Sequence, residues 1–360
     1  DMLPLLKDVN GYPLACQVDD VDGDGSWDEL FCLTDLKAGE SIKASLAFVS
    51  PDSYPVPEVR TNLRLGAADQ EGYPELSNAQ RLEGVAYHNY DGVTGAVYQM
   101  EGPAWENDLV GFRNYLDQRN GIDIFGKLTT DMVLDGVGVE GAPSYHEPGD
   151  WGMDVLKVGT SLGAGAIGYW FNDSIYRVGD NGSGSYEVVF EGSLRSRLHL
   201  GFEDWKVEES PVSVLHQIEI TAGRRCYGAK VTYDGEKQLD LVTGIVNMKS
   251  KELVVVDLDP NYVALLTHDQ QAEDGSLLTM ALMVPKVDLI KHAKSKDSGE
   301  GITQTYYAIL DASPGDGALY RFYSFWEKED ARWADLDAIK AYLKEDAQRL
   351  TQSVMIEVMP

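Results

Sequence analysis

The sequence predicts a mainly β protein, a large antiparallel β-sandwich with a few peripheral helices. Two observations predict this class. Many short runs alternate apolar and polar residues, and turn signals such as DG, DP, SG and PGDG separate them. Consecutive runs are not joined by helical patterns, which a parallel α/β sheet would require. The length of 360 residues suits one large domain, so we expect residues 1–360 to form a single β-sandwich.

The clearest strand candidates lie in the second half of the chain. Residues 186–202 alternate over much of their length, as do residues 213–220 and 227–233. Further candidates follow in order at 239–248, 252–258, 262–268, 277–284, 304–311 and 318–326.

One helix is predicted over residues 335–350, packed on the outside of the sandwich. Leu336, Ile339, Leu343 and Leu350 recur there at helical spacing, and Asp335 stands where an N-cap is expected. We expect a last strand, SVMIEV, after this helix and a short helix within residues 69–85.

The first half of the chain has weaker patterns. Residues 91–185 are rich in glycine and carry most of the unusual polar side chains, so we expect irregular backbone there. Long loops on a rigid β scaffold usually carry function. The segment 86–185 is therefore where we expect a site.

Composition excludes several classes of partner. The net charge of −29 and pI near 4.4 predict a surface that repels nucleic acids and anionic membranes. The chain has no run of 18 apolar residues long enough to span a membrane. Acidic residues spread along the whole chain suit a salt-rich, marine environment, because salt screens their repulsion. An anionic substrate would need a local basic pocket.

An acidic loop at residues 19–30, DDVDGDGSWDEL, has the spacing of a calcium loop. Oxygen ligands fall at positions 1, 3, 5 and 9, with a glycine at position 6. These candidate ligands are Asp20, Asp22, Asp24 and Asp28. Position 12 is Phe31 and not the usual glutamate, so a polar hairpin turn explains the pattern as well as a structural Ca²⁺ does.

Cys16 and Cys32 flank this loop. If a hairpin is centred near Asp24, the two cysteines lie opposite each other and a cross-strand disulfide is possible; free thiols are the alternative. The start, DMLPLLKDV, does not resemble a signal peptide. Either the protein is cytoplasmic or a signal has been removed.

A glycine motif at Gly163, Gly165 and Gly168 spells GxGxxG. A dinucleotide site needs a helix directly after the motif, and the following YWFNDSIYRVGD is not helical. We therefore expect no organic cofactor, and interpret these glycines as positions of turns or of close backbone approach.

Polar and aromatic residues concentrate between residues 88 and 157. Trp faces stack on sugar rings, and fixed carboxylate, amide and guanidinium groups bond sugar hydroxyls. The predicted binding residues are Trp105, Glu106, Asn107, Asp108, Trp151 and Asp154. The predicted catalytic residues are His146, His88, Arg113, Tyr115 and Lys127.

Three stretches resemble a family of bacterial proteins known as DUF4861: DGDGSWDELFCL, GPAWENDLVGFRNY and YHEPGDWGMDVLKVGTSLGAG. The second half, with SLRSRLHLGF and IEITAG, also resembles the β-supersandwich of galactose mutarotase-like proteins and polysaccharide lyases. The resemblance implies a secreted or periplasmic carbohydrate-active protein. The family accompanies enzymes that handle unsaturated uronic acids from ulvan or pectin.

For a uronate-terminated oligosaccharide, the expected reaction is β-elimination across C4 and C5, by a dehydratase or a lyase. We expect Arg113, with Lys127 in reserve, to neutralise the substrate carboxylate. His146 and His88 would act as base and acid, and Tyr115 could replace either. Each acid or base contributes roughly 10²–10⁴-fold to the rate.

Three alternatives stay open. The protein could be a glycoside hydrolase that uses Glu106 with Asp154, a sugar mutarotase or epimerase, or an oligosaccharide-binding protein without activity.

Overall fold

The computed structural model describes residues 2–37, 39–80, 97–179, 181–207, 210–235, 239–312 and 317–357. Its strands, in chain order, are β1 Leu3–Lys7, β2 Cys16–Asp19, β3 Glu29–Cys32, β4 Ser45–Val49, β5 Thr61–Arg64, β6 Asn78–Gln80, β7 Ala104–Asn107, β8 Val110–Asn114, β9 Ile122–Lys127, β10 Gly152–Asp154, β11 Ala164–Phe171, β12 Ser174–Arg177, β13 Ser183–Glu191, β14 Arg195–Val207, β15 Ser210–Thr221, β16 Cys226–Asp234, β17 Leu239–Val246, β18 Val254–Asp257, β19 Tyr262–Asp269, β20 Leu278–Pro285, β21 Leu289–Lys294, β22 Thr305–Ala312 and β23 Ala318–Trp326. Helix α1 spans Leu336–Thr351, and short 3₁₀ turns lie at Pro51–Ser53, Gln99–Glu101, Leu134–Gly136 and Ala331–Ala334.

The strands form antiparallel sheets of very different size. The largest has nine strands in the order β18-β19-β20-β23-β16-β15-β14-β13-β6. Two sheets have five strands, β10-β9-β8-β7-β5 and β12-β11-β17-β22-β21, and two hairpin-like pairs, β1-β4 and β2-β3, complete the set. The predicted fold class, a mainly β antiparallel sandwich, is confirmed.

The main core lies where the inner face of the nine-stranded sheet meets the two five-stranded sheets. The ring of Trp105 in β7 lies 5.5 Å from that of Tyr227 in β16, and Tyr169 in β11 lies 5.0 Å from Trp205 in β14. Full burial of each large apolar side chain contributes about 1.5–3 kcal/mol. These contacts between sheets hold the five-stranded sheet β10-β9-β8-β7-β5 firmly against its neighbour.

Helix α1 covers the opposite face of the nine-stranded sheet. In β23, Phe322 belongs to the main core, whereas Tyr323 packs in a second core with Ile339 and Leu343 of the helix. The alternation follows from the two-residue period of a strand. The Asp335 side chain accepts a hydrogen bond from Asp337 N and caps the helix. The predicted helix, its cap and its position outside the sandwich are confirmed.

The strand predictions for residues 213 onwards match β15–β20, β22 and β23, with β21 not anticipated. The alternating run 186–202 contains the end of one strand and much of the next, because the chain turns back between β13 and β14. The expected last strand SVMIEV is wrong for its described part, since residues 353–357 form no strand. The expected helix within 69–85 is also wrong for residues 69–80, which form turns and β6.

The expectation of irregular backbone over residues 91–185 is wrong for much of the described part, which contains β7–β12. In the sheet β10-β9-β8-β7-β5, Trp105, Phe112 and Ile124 point into the main core. Their neighbours Glu106 and Arg113 therefore project from the other face of the same strands. The segment is dense in polar groups because one face of its sheet is apolar and the other is ionic.

The N-terminal hairpin β2-β3 places Cys16 directly opposite Cys32, and the two form a disulfide. The sequence left this disulfide open as one possibility, and the structure contains it. Arg195 on β14 binds the hairpin through Asp19, with an Nη2–Oδ2 distance of 2.7 Å, and through Glu29. The hairpin is thus fixed to the nine-stranded sheet. Among the described residues, no helix is long and apolar enough to cross a membrane.

Candidate functional site

The ionic face of the sheet β10-β9-β8-β7-β5 is organised around a buried arginine. Arg113 on β8 is opposite Asp123 on β9, and the two side chains form an ion pair. Arg113 also donates hydrogen bonds to Met100 O (2.5 Å) and Tyr115 Oη (2.9 Å). Its side chain has no exposed surface. Arg113 therefore fixes the positions of the groups around it.

Asp154 on β10 lies beside this pair. Its Oδ2 is 3.6 Å from Arg113 Nη2, and its side chain is almost completely buried. Burial, followed by the negative charge of Asp123, raises the pKa of Asp154 well above its ordinary value of 3.8. Ionisation of the Asp154 carboxyl group is therefore disfavoured at this position.

His146 connects these buried groups to solvent. Its Nδ1 lies 3.5 Å from Asp154 Oδ2, whereas its side chain is 64% exposed. Burial, followed by the charge of Arg113, lowers the pKa of His146 below 6.5. The ring is thus neutral near pH 7. Because Nδ1 faces Asp154, Nε2 is the nitrogen left for a molecule arriving from solvent.

Two tyrosines complete the cluster. The Tyr115 ring lies between two guanidinium groups, with its centroid 4.1 Å from Cζ of Arg113 and 3.9 Å from Cζ of Arg119. Burial and then the charge of Asp123 raise the pKa of Tyr115, so the phenol keeps its proton. Tyr145 packs beside His146, with ring centroids 4.3 Å apart. We refer to Arg113, Tyr115, Asp123, Tyr145, His146 and Asp154 as the acid–base cluster.

Glu101 joins the rim of this cluster and was not predicted. Its carboxylate lies 3.0 Å from Arg119 and 3.6 Å from Arg113. Met100 and Glu101 have φ values of 53° and 65°, a conformation that residues other than glycine rarely adopt. Such strain clusters at functional sites. The sequence gives no pattern that reveals this conformation.

The structure corrects the predicted roles of two cations. Arg113 is fully buried, and its two Nη atoms are bound by Met100 O, Tyr115 and Asp123, so it does not contact a substrate carboxylate. Lys127 is also buried, with its Nζ 2.5 Å from Glu106 Oε2 and 2.8 Å from Asn107 O. Both residues act inside the protein.

The predicted binding residues on β7 are corrected in the same way. Trp105 is 0% exposed and packs in the main core, so its face is not available to a sugar. Glu106 accepts from the backbone N–H groups of Val133 and Leu134 as well as from Lys127. Its carboxylate is part of a closed structural network.

Asn107 and Asp108 hold neighbouring loops in place. The Asn107 amide donates to Thr221 O (2.7 Å) and Arg224 O (2.6 Å). The Asp108 carboxylate binds Arg60 at 2.7 Å. Both residues connect β7 to the loop after β15, and we remove them from the candidate site.

Trp151 lies close to the cluster and is half-buried. Its ring packs edge-on against Phe125, with centroids 6.0 Å apart. Phe125 also contacts the Tyr145 ring at 6.0 Å. Trp151 therefore stays a predicted binding residue at the border of the cluster. His88 lies outside the described residues, and its role stays a prediction.

The acidic loop brings together three of its four predicted ligands. One carboxylate oxygen from each of Asp20, Asp22 and Asp28 lies within 4.8 Å of the others. Asp24 is not in this group; its Oδ1 accepts from Ser26 N at 2.7 Å. Hard carboxylate oxygens suit Ca²⁺. Calcium binding by these residues stays a prediction.

The GxGxxG stretch has the structural role expected for it. Gly163 and Gly165 have φ values of 68° and 88°, and the chain continues as β11, not as a helix. A side chain on Gly168 would approach the backbone oxygen of Tyr176 to 2.6 Å. These glycines permit close packing of strands.

The fold and the cluster define a mainly β protein of the sandwich type with an ionisable site on the outer face of one sheet. The chain belongs to the DUF4861 family, a domain of unknown function, whose model matches residues 3–356. It is 21% identical over 271 residues to the uncharacterised protein P7 of Formosa agariphila, an alignment that spans 71% of this chain and 66% of that protein. It also resembles a protein of Klebsiella pneumoniae provisionally named an aldose 1-epimerase, with a TM-score of 0.34 and 8% identity over 81% of this chain and 96% of the other.

Proposed function

We propose that the protein is a carbohydrate-active carbon–oxygen lyase that acts on uronate-terminated oligosaccharides by β-elimination across C4 and C5. We infer that water is the leaving group, so that the product is a 4,5-unsaturated uronate from ulvan or pectin. The observation that carries this proposal is the 3.5 Å contact between the exposed His146, whose pKa is lowered, and the buried Asp154, whose pKa is raised.

His146 is the base of the proposed reaction. Its Nε2 takes the proton from C5 of the uronate, which the adjacent carboxylate acidifies. The electron pair forms the C4–C5 double bond. In this step the proton of the neutral ring is on Nδ1 and faces the Asp154 oxygen, which orients the ring and leaves Nε2 as the acceptor. The neutral state of His146 near pH 7 suits this role, because a protonated imidazole cannot accept a proton.

Tyr115 is the acid of the proposed reaction. Its phenol donates a proton to the oxygen on C4, which leaves as water. The Arg113 guanidinium donates to Tyr115 Oη at 2.9 Å, so it stabilises the phenolate that remains. Tyr115 loses one proton and His146 gains one, so the net charge of the protein does not change. The proton returns from His146 to Tyr115 before the next turnover.

Arg113 supports both groups from inside the protein. A fixed positive charge in a region of low dielectric stabilises negative charge that develops on a substrate nearby. Its partners Asp123 and Tyr115 hold it in one orientation. In this proposal Arg113 is a positioning residue and not a ligand of the substrate.

The hydrolase alternative needs Glu106 and Asp154 as its two catalytic carboxyl groups. Glu106 is completely buried and bound by Lys127 and two backbone N–H groups, so it does not reach a glycosidic oxygen. A mutarotase could use His146 and Asp154 without any change of mass. A binding protein without activity would need exposed aromatic faces, and Trp105 does not provide one.

We further propose that the protein is secreted or periplasmic and that its partner is an anionic oligosaccharide, with neither nucleic acid nor membrane involved. The Cys16–Cys32 disulfide supports an oxidising compartment. The net charge of −29 disfavours contact with nucleic acid.

Mass spectrometry on a panel of uronate-terminated oligosaccharides from ulvan and pectin tests the proposal. We expect a product lighter by one water that absorbs in the ultraviolet as an unsaturated uronate. Shorter chains with an unsaturated end would show that a sugar leaves, and shorter saturated chains would show a hydrolase. If no mass changes across the panel, elimination is wrong, and anomer exchange is measured next.

A further inference from the structure

The proposed reaction needs a cation that meets the substrate carboxylate, and Arg113 and Lys127 are both buried. An exposed lysine, Lys249, is linked to the segment after Asp154 through its ion-pair partner Glu273. The chain runs from Asp154 into residues 155–157. There the backbone oxygen of Val155 accepts a hydrogen bond from Glu273 N at 3.0 Å. The loop that carries Glu273 is thus directly attached to the acid–base cluster.

Glu273 forms an ion pair with Lys249. The Lys249 Nζ lies 2.5 Å from Glu273 Oε1 and 3.4 Å from Ala272 O. The two side chains are 38% and 35% exposed. After burial, which is the largest cause of both pKa shifts, the negative charge of Glu273 makes a small contribution at Asp154 and at His146, so Glu273 lies within electrostatic reach of both groups.

A shallow cleft opens at this position. Its walls include the apolar side chains of Leu156, Val246 and Met248, and the exposed residues Lys157 and Lys249 add two positive charges. The enclosed space is only about 10 Å³, so the cleft offers a ligand a charged edge and not an enclosing pocket. On a protein with a net charge of −29, two lysines beside an acid–base pair form the local basic surface that an anionic ligand requires.

We propose that Lys249 binds the carboxylate of the substrate and that the Glu273 carboxylate occupies the position of that group until the substrate arrives. This inference rests on the proposed function and names the residue that selects uronates at the same site. Glu273 presents to Lys249 the same carboxylate chemistry that a uronate would present. An exposed ion pair of this kind contributes little to stability, so a second carboxylate can replace Glu273 without disturbing the fold.

The test compares three variants on an oligosaccharide from the panel that the wild-type protein converts. Lys249→Gln should raise KM by about tenfold, because it removes a charge-assisted hydrogen bond, and should also lower kcat, because the same cation faces the charge that develops on the carboxylate. Glu273→Gln should leave KM equal to or below the wild-type value. Lys251→Gln is the matched control, because Lys251 is 89% exposed and pairs with Asp269 at 3.6 Å; its KM should not change.

Two results would overturn the inference while the proposed function stands. One is a KM for Lys249→Gln that matches that of Lys251→Gln. The other is an equal rise in KM for Lys249→Gln and Glu273→Gln, which would mean that the ion pair only supports the loop.

If the wild-type protein converts no oligosaccharide, the proposed function fails. A binding measurement then tests by itself whether Lys249 binds a carboxylate. Glucuronate and glucose are titrated into the protein while the ring resonances of His146 are followed by NMR. We expect glucuronate, and not glucose, to shift them in the wild-type protein and not in Lys249→Gln. Equal shifts in both proteins, or none in the wild-type protein, would overturn the inference.

Discussion

The imidazole of His146 lies 3.5 Å from the carboxyl group of Asp154, although one side chain is 64% exposed and the other is buried. Their surroundings move the two pKa values in opposite senses, downwards for the histidine and upwards for the aspartic acid. A histidine that resists protonation and a carboxyl group that resists ionisation therefore lie side by side. Groups with pKa values shifted in this way mark sites of proton transfer.

Asp154 and Asp123 should respond differently to the same isosteric change. Asp154→Asn removes a carboxyl group whose ionisation burial already disfavours, so we expect a smaller loss of unfolding free energy at pH 7 than for Asp123→Asn, and a turnover lower by about 10²-fold. Asp123→Asn leaves the buried Arg113 without its charge partner, which typically costs about 3–5 kcal/mol. Urea unfolding at pH 7 measures both. Equal destabilisation of the two variants would contradict the assigned charge states.

The rate should depend on pH through His146. Because its pKa is lowered from 6.5, kcat/KM should rise with pH, with the midpoint of the rise below pH 6.5. Glu273→Gln removes a charge that raises this pKa, so the rise should move to lower pH. A rise centred above pH 6.5, or one that Glu273→Gln moves upwards, would contradict the assignment.

His216 should make stability fall in acid. This residue is buried between strands, its Nε2 lies 2.8 Å from Tyr320 Oη, and burial lowers its pKa to about 3. Between pH 6.5 and 3 the unfolded chain binds a proton that the folded protein does not. The unfolding free energy should therefore drop as pH falls through this window, by up to about 1.4 kcal/mol per pH unit.

Urea unfolding of His216→Asn and the wild-type protein across this pH range isolates the contribution. The variant should show a smaller loss of stability in acid than the wild-type protein. His292→Asn, a change at an exposed histidine, is the control and should behave as the wild-type protein does. Identical slopes for all three proteins would show that His216 does not titrate on unfolding.

Calcium should stabilise the acidic loop through three carboxylates. Ca²⁺ at a hundred times its Kd should raise the unfolding free energy by about 2.7 kcal/mol, and EDTA should reverse the effect. Asp28→Asn should abolish this increase, whereas Asp24→Asn should not, because Asp24 is outside the group of three. If Ca²⁺ does not change the melting temperature, the calcium prediction is wrong and the loop is a hairpin turn.

Part of the fold could be predicted because its signals are local. Helix α1 has an apolar stripe and a capping residue within one segment, and the turn residues between Cys16 and Cys32 indicated a hairpin. Strands β15–β20, β22 and β23 lie between clear turn signals. Strand β21 was missed, because its exposed residues, such as Lys291 and His292, give a weak apolar pattern.

The site could be predicted only in part, because burial on the ionic face depends on distant segments. Strand alternation alone would place Glu106, Arg113 and Lys127 on an outer face, and outer faces are usually exposed. Residues 129–151 cover part of this face, and the Val133 and Leu134 backbone groups bond Glu106. Local sequence does not show such contacts, so Trp105 and Lys127 were assigned to the surface while Glu101 was missed.

The most direct test of the central claim is a comparison of His146→Gln with the wild-type protein on one uronate-terminated oligosaccharide, followed by mass spectrometry. The account predicts that the wild-type protein and the control His292→Gln make a product lighter by one water. His146→Gln should be slower by at least about 10²-fold while it keeps its melting temperature, because the side chain is largely exposed. Dehydration at the wild-type rate by His146→Gln would contradict the account.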